Sequence, residues 1–190
     1  MDFFECIQKR YSYRGPYKNT PVPREDLEKI IKAGLAAPSG CNKQTTSFVG
    51  LDDLKILNSI AELLNKNGFE GKKAPAGICV LTRRIPAYAD FYFNVQDYAA
   101  AIENILLAIT ALGYASCWIE GHITENTETQ KQIAKLLNIP EKYIVVAFLP
   151  VGVQEKEGKR PSYKSFSERA WYNNQPAGSE DGEKLRAGGA

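Results

Sequence analysis

The segment that most restricts how this chain can fold runs from Val95 to Leu112. In it Ile102, Ile105, Leu106, Ile109 and Leu112 recur at helical spacing, and Gly113 stands where such a helix would stop. At about 1.5 Å per residue the helix is about 27 Å long, enough to cross a small domain. A helix this apolar needs cover on more than one side, so other elements must be built around it. Ala99, Ala100 and Ala101 are small enough to let a second helix or a flat ring come close.

The rest of the chain supplies helices and strands in irregular alternation. Asp2 can cap a short first helix carrying Phe3, Phe4 and Ile7, and Gly15-Pro16 makes the following RYSYRGPYK a loop. Pro23 opens a second helix with Glu25 and Asp26 in its first turn. Leu27, Ile30, Ile31, Gly34 and Leu35 keep its apolar spacing, and Pro38 stops it. Thr45 to Leu51 reads as a strand, followed by a helix capped by Asp52 or Asp53, with Leu54, Leu57, Ala61 and Leu64 on one side and Gly68 at its end. Gly77 to Thr82 and Tyr143 to Val153 read as strands, Ala115 to Ile119 as strand-like, and Thr127 to Asn138 as a capped helix. Residues 1–174 are expected to form one domain and 175–190, polar and rich in Gly and Ala, a disordered tail.

Composition narrows the function classes. Twenty-four basic against 22 acidic residues give a formal charge of +2, so no general attraction to nucleic acid or membrane is expected. The four cysteines lie far apart without a CxxC, and there is one histidine, His122, so neither a disulfide framework nor a structural zinc site is expected. The N-terminus lacks a signal-like apolar run and no segment reaches a membrane span, which points to a reducing cytoplasm.

Four loops could carry chemistry. In an extended segment, Arg10, Ser12 and Arg14 share one face and Tyr11 and Tyr13 the other. Two guanidiniums and a hydroxyl make a phosphate site, since Arg offers forked donors to phosphate oxygens. The same residues also suit a solvated basic loop, or a platform stacking single-stranded nucleic acid. AAPSGCNKQ at 36–44 can hydrogen-bond a polar heterocycle, or be only a helix stop. Trp118-Ile119-Glu120-Gly121 ends a strand where backbone can approach a ligand, and Lys159-Arg160 is a basic pair of the kind usually solvated.

Taken in order, RYSYR, VPREDLEKIIKAGLAAPSGCNKQ, the apolar AAAIENILLAITALGYASCW and a strand running into a basic tail resemble the FMN-dependent nitroreductase family over about residues 3–174. AAPSGCNKQ is the most specific of these. The resemblance implies an α+β fold, with a central, mostly antiparallel sheet flanked by helices and an intertwined homodimer. It implies that Arg10, Ser12, Arg14, Lys159 and Arg160 hold the FMN phosphate and ribityl chain. Pro38, Ser39, Gly40, Asn42 and Gln44 would reach the flavin of the other subunit, and Glu120 and Gly121 would present backbone amides to N5, next to Trp118 and Ile119. The resemblance also implies a lysine facing N1/O2, a place Lys72 fits best, with Lys73 one residue away. Trp118 stands where some relatives carry Pro, and the stretch IPAYADFYFNVQD is shorter than in larger members.

The resemblance further implies NAD(P)H as donor, a nitroaromatic, quinone or flavin-like acceptor, and a ping-pong order in which no side chain is a nucleophile. His122 or a tyrosine could donate protons, as could solvent. The rivals are a related flavin enzyme with a dedicated substrate, such as a dehalogenase or dehydrogenase, a flavin-binding or flavin-consuming protein without NAD(P)H turnover, and a nucleic-acid module using RYSYR.

Overall fold

Three strands, β1 (Thr46–Leu51), β2 (Ala76–Thr82) and β3 (Ile144–Val151), form an antiparallel sheet in the order β1-β2-β3. The computed structural model describes residues 1–65 and 73–173. The helices are α1 (Phe3–Lys9), α2 (Arg24–Leu35), α3 (Leu54–Asn65), α4 (Asn94–Ala111), α5 (Gly121–Thr124), α6 (Thr127–Leu136) and α7 (Phe166–Arg169). Residues 1–159 form one unit, to which the sheet and α1–α6 belong. The described part of the second, 160–173, holds α7, opened by Ser165, whose N–H donates to the Glu168 carboxylate at 2.7 Å.

β2 is buried at every position because both faces of the sheet are covered. Its residues alternate between two cores. Ala76, Ile78 and Val80 join α2 and α4 on one side, while Cys79 and Leu81 join α3, α5 and α6 on the other. This is the period of two that a pleated strand imposes. On β3 the alternation slips at Val146, where Val80 pairs with Ala147 but Leu81 with Val145. The extra residue is a β-bulge. Burial in this strongly apolar setting pushes the Cys79 thiol up to about 12.

α4 occupies the central position that its sequence demands. Ile102, Ile105, Leu106 and Ile109 are buried in the first core, with Gly34 of α2 packed so closely that a Cβ there would meet the Ile105 side chain at 2.7 Å. Gly113 ends the helix at φ +84 in a Schellman motif, with the Tyr114 and Gly113 amides donating to the carbonyls of Ile109 and Thr110. Asp2 and Asp53 cap α1 and α3 as expected, while Gly68 lies outside the described residues.

Two readings of the sequence need correction. First, Ala115 to Ile119 is not a continuous strand. Ala115 pairs with Gly152 and Ile119 with Phe148 in one antiparallel register, but the rung between them would need an N–H from Pro150, which has none. Second, several residues counted on apolar helix faces are uncovered in the single chain. Phe3 and Phe4 are 65% and 73% exposed and Leu54 61%, with Ile7, Leu35 and Leu112 also open. On α1 the buried residue is instead Cys6, whose thiol donates to the Leu107 carbonyl, and on α3 Ile60 is buried together with the expected Leu57, Ala61 and Leu64.

Candidate functional site

The Arg10–Arg14 segment is extended, and its alternation is realised. Tyr13 is buried and Tyr11 half-buried, their rings edge to face at 6.3 Å, and Tyr13 packs with Tyr17 in a small tyrosine cluster. Arg14 is exposed, and Arg10 and Ser12 are half-exposed. The Tyr13 amide donates to the Ser116 carbonyl at 2.8 Å, and Ser12 bridges Ser116 in parallel. The segment therefore lies beside the chain leading into Trp118–Gly121. Arg14 is near enough to Cys117 to pull its thiol down slightly against the larger upward push of burial.

Arg10 Nε sits 3.2 Å from Glu103 Oε1 on α4, an ion-pair contact without hydrogen-bond geometry, so the buried Nε–H has no hydrogen-bond partner. The Ser116 hydroxyl and Trp118 Nε1 are likewise buried without a partner among the described residues. Polar atoms left this way cost free energy unless something else satisfies them.

Residues 38–44 form a tight turn around a single 3-10 turn, Gly40–Asn42. Cys41, Asn42 and Gln44 have φ of 48°, 54° and 49°, a left-handed conformation L side chains disfavour. Asn42 and Gln44 project into solvent, linked by a 3.3 Å hydrogen bond from Gln44 Nε2 to Asn42 Oδ1, and Ser39 Oγ accepts the Gln44 amide at 2.9 Å. Pro38, Ser39 and Gln44 border a recess of about 250 Å³, with Ser47, Asp97 and Ala101 beneath. No hydrogen bond or ion pair among the described residues joins this turn to Arg10, Ser12 or Arg14.

In the Trp118–Gly121 segment, Trp118 packs on the α2/α4 core and Ile119 is buried in the other. Gly121 opens α5, so its N–H lies outside the helix's own ladder, while the Glu120 carbonyl takes the Ile123 and Thr124 amides. The Glu120 carboxylate turns inward and accepts the Tyr98 hydroxyl at 2.6 Å. Burial, reinforced by that bond, raises the Tyr98 phenol well above its ordinary value. His122 follows on α5.

Lys159 is exposed and follows Gly158, whose amide donates to the Tyr11 hydroxyl at 3.1 Å and whose Cα lies against the Tyr11 and Tyr13 rings. The basic tail thus returns to the Arg10–Arg14 segment at Lys159, whereas Arg160 belongs to the second unit. Lys72 lies outside the described residues. Lys73 lines a separate cavity of about 320 Å³ with Asn19, Asp52 and Asn58, none of them a candidate from the sequence.

Sequence reasoning missed Asp97, Tyr98 and Glu103 on α4. Asp97 is 5% exposed, and its carboxylate accepts the Gly40 amide at 2.8 Å and the Thr45 hydroxyl at 2.6 Å. These three residues tie three candidate segments to one helix. For Asp97 and Glu103 the available signal was a charged residue on a helix otherwise so apolar, and Tyr98 carried none.

The model described as Nitroreductase family matches residues 7–73 and 62–153. An Archaeoglobus fulgidus protein provisionally named NADH dehydrogenase/NAD(P)H nitroreductase is 32% identical over 158 residues, covering 80% of this chain and 87% of its own. A solved FMN-dependent nitroreductase from Clostridium difficile R20291 superimposes with a TM-score of 0.76 at 29% identity, covering 90% of this chain and 99% of its own. A nitroreductase with bound FMN from Bacteroides fragilis gives 0.70 at 27%, covering 85% and 94%.

Proposed function

The chain belongs to the nitroreductase family, and on that premise we propose that it is an FMN-dependent oxidoreductase, active as a homodimer, carrying electrons from NAD(P)H to a nitroaromatic, quinone or flavin-like acceptor. The observation that carries the assignment is the face formed by Arg10, Ser12 and Arg14 beside the chain leading into Trp118–Gly121, where the Arg10 Nε–H, the Ser116 hydroxyl and Trp118 Nε1 are buried without a hydrogen-bond partner among the described residues. Such a face, rich in unmet donors, fits a phosphorylated, polar-edged ligand.

In this reading Arg10, Ser12 and Arg14 bind the phosphate and ribityl chain, joined by Lys159. Gly121 and Glu120 offer backbone N–H groups to the N5 edge of the ring, and Ile119 and Trp118 fix the backbone that carries them. A lysine near N1/O2, which the resemblance assigns to Lys72 rather than to Lys73 on its separate cavity, would add a positive charge there. Pro38, Ser39, Gly40, Asn42 and Gln44 cover the ring bound by the partner protomer, and the Phe3, Phe4 and Ile7 surfaces left open in one chain are covered by the second copy. FMN, when bound, supplies the redox chemistry by taking hydride from the nicotinamide and returning electrons to the acceptor. The protein's residues orient donor and acceptor over one face in turn, a ping-pong order, because both partners react at the same ring.

A visible spectrum of the purified protein followed by anaerobic mixing with NADH or NADPH tests this. Flavin absorbance that bleaches on mixing is the expected result. Protein that takes up no FMN, or holds FMN that neither nicotinamide bleaches, would overturn it.

A further inference from the structure

Asp97 and Tyr98 are consecutive residues near the start of α4, and each side chain ends on a different segment of the proposed ligand site. Successive helical residues point about 100° apart, so one turn of helix can grip two loops at once. Asp97 Oδ1 accepts the Gly40 amide at 2.8 Å and Oδ2 the Thr45 hydroxyl at 2.6 Å, which bridges the two ends of the 40–45 turn. Tyr98 donates to the Glu120 carboxylate at 2.6 Å, holding the residue next to Gly121. Both side chains are 5% exposed, so neither bond competes with bulk water.

The 40–45 turn has particular need of such a grip. Cys41, Asn42 and Gln44 all lie in the left-handed region, and conformations of this kind persist only where surroundings over-determine them. The surroundings here are the Asp97 carboxylate and the Ser39 hydroxyl on the Gln44 amide. They also include the Phe93 ring, packed on Gly40 so that a Cβ would meet it at 2.5 Å. The Asp97 amide is in turn bonded to the Phe93 carbonyl, so the roof over Gly40 and the carboxylate beneath it belong to one helix start.

We infer that Asp97 and Tyr98 are positioning residues that hold the 40–45 turn and the Glu120–Gly121 segment against FMN. This rests on the proposed function for the ligand's identity, but the anchoring itself is a property of the chain alone. Because the turn and the Glu120 segment face the flavins of different protomers in that reading, a single helix start sets the geometry of half of each site.

The test combines FMN titration with amide hydrogen exchange on the FMN-free protein, for Asp97→Ala, Asp97→Asn and Tyr98→Phe. With Asp97→Ala, exchange at the Gly40 and Gln44 amides should rise at least about tenfold while β2 amides are unchanged, and the FMN dissociation constant should rise about tenfold or more. Asp97→Asn, which keeps an acceptor for Gly40, should recover much of both. Tyr98→Phe should shift the visible spectrum of bound FMN and leave exchange at Gly40 unaltered. Unchanged exchange at Gly40 in Asp97→Ala, or wild-type FMN affinity and spectrum in all three variants, would overturn the inference. If Asp97→Ala fails to fold, Thr45→Val removes one of the two bonds with the carboxylate retained, and the readout is then exchange at the Gln44 amide and FMN affinity, both unchanged overturning the inference. Failure of the wild-type protein to bind FMN would overturn the proposed function instead, and exchange at Gly40 would still decide the anchoring.

Discussion

Replacing Arg14 or Arg10 by Ala should weaken FMN unequally, and the difference follows from what each guanidinium touches. A charge-assisted hydrogen bond is worth about 1.5–3 kcal/mol, so losing one from phosphate raises the dissociation constant about 10- to 150-fold. Arg14 is exposed, and its loss should give that full effect with no change in fold stability beyond about 0.5 kcal/mol. Arg10 already lies 3.2 Å from the Glu103 carboxylate, the two side chains 26% and 47% exposed, so this contact is worth at most about 1 kcal/mol. Glu103 would compete with the phosphate of the proposed site for the same guanidinium. Arg10→Ala should therefore fall at the lower end of the range, and Glu103→Gln should tighten FMN by up to about fivefold, the equivalent of about 1 kcal/mol. Titrating FMN-free protein into FMN and following flavin fluorescence reads all three, with thermal unfolding as the control for fold. Wild-type affinity in both Arg variants would refute the phosphate site, and weaker binding in Glu103→Gln would refute the competition.

Steady-state rates against NAD(P)H at several fixed acceptor concentrations should give parallel double-reciprocal lines, and intersecting lines would show two separate sites. Light scattering of the FMN-loaded protein should give twice the 21.1 kDa of one chain, and a monomer mass would contradict the shared site. Gly34→Ala places a Cβ 2.7 Å from the fully buried Ile105 side chain and 2.9 Å from Phe48. Chemical denaturation should show a net loss of about 1–2 kcal/mol, the overpacking cost less the gain in helix propensity. The Lys29 ammonium and the Tyr114 hydroxyl hold the Asp26 carboxyl below its ordinary value. Its contribution is thus present above the unfolded value of about 3.9 and lost as pH falls through the lower folded value, so the stability gap between wild type and Asp26→Asn should close on acidification.

Periodicity made the buried framework legible. The spacing of Ile102, Ile105, Leu106 and Ile109 and the stop at Gly113 gave α4 to within a residue, and the apolar runs around Ile78 and Leu149 gave β2 and β3. The same rule overcounted Leu54, Leu112, Phe3, Phe4 and Ile7, because an apolar side chain carries no mark of what will cover it. The break between Ala115 and Ile119 depends on Pro150, more than 30 residues away, and no local pattern reveals that pairing. In the candidate site, alternation in RYSYR was legible because it is local. Asp97 was not, since its partners Gly40 and Thr45 lie 57 and 52 residues away, and in sequence it is only an acid in a helix's first turn.

The part of the chain least explained by local preference is the 40–45 turn. Three non-glycine residues in the left-handed region cost about 1–2 kcal/mol each. Two hydrogen bonds to a buried carboxylate contribute about 1.5–3 kcal/mol each, so the Asp97 network and the strain come out nearly equal. Glycine at 42 or 44 would remove that residue's share of the strain, but it would also remove an amide side chain that projects into solvent from this turn. A stability argument alone would favour glycine. That Asn42 and Gln44 stand there, held by a carboxylate from a helix more than 50 residues on, is what a chain selected for the amides rather than for the turn would show.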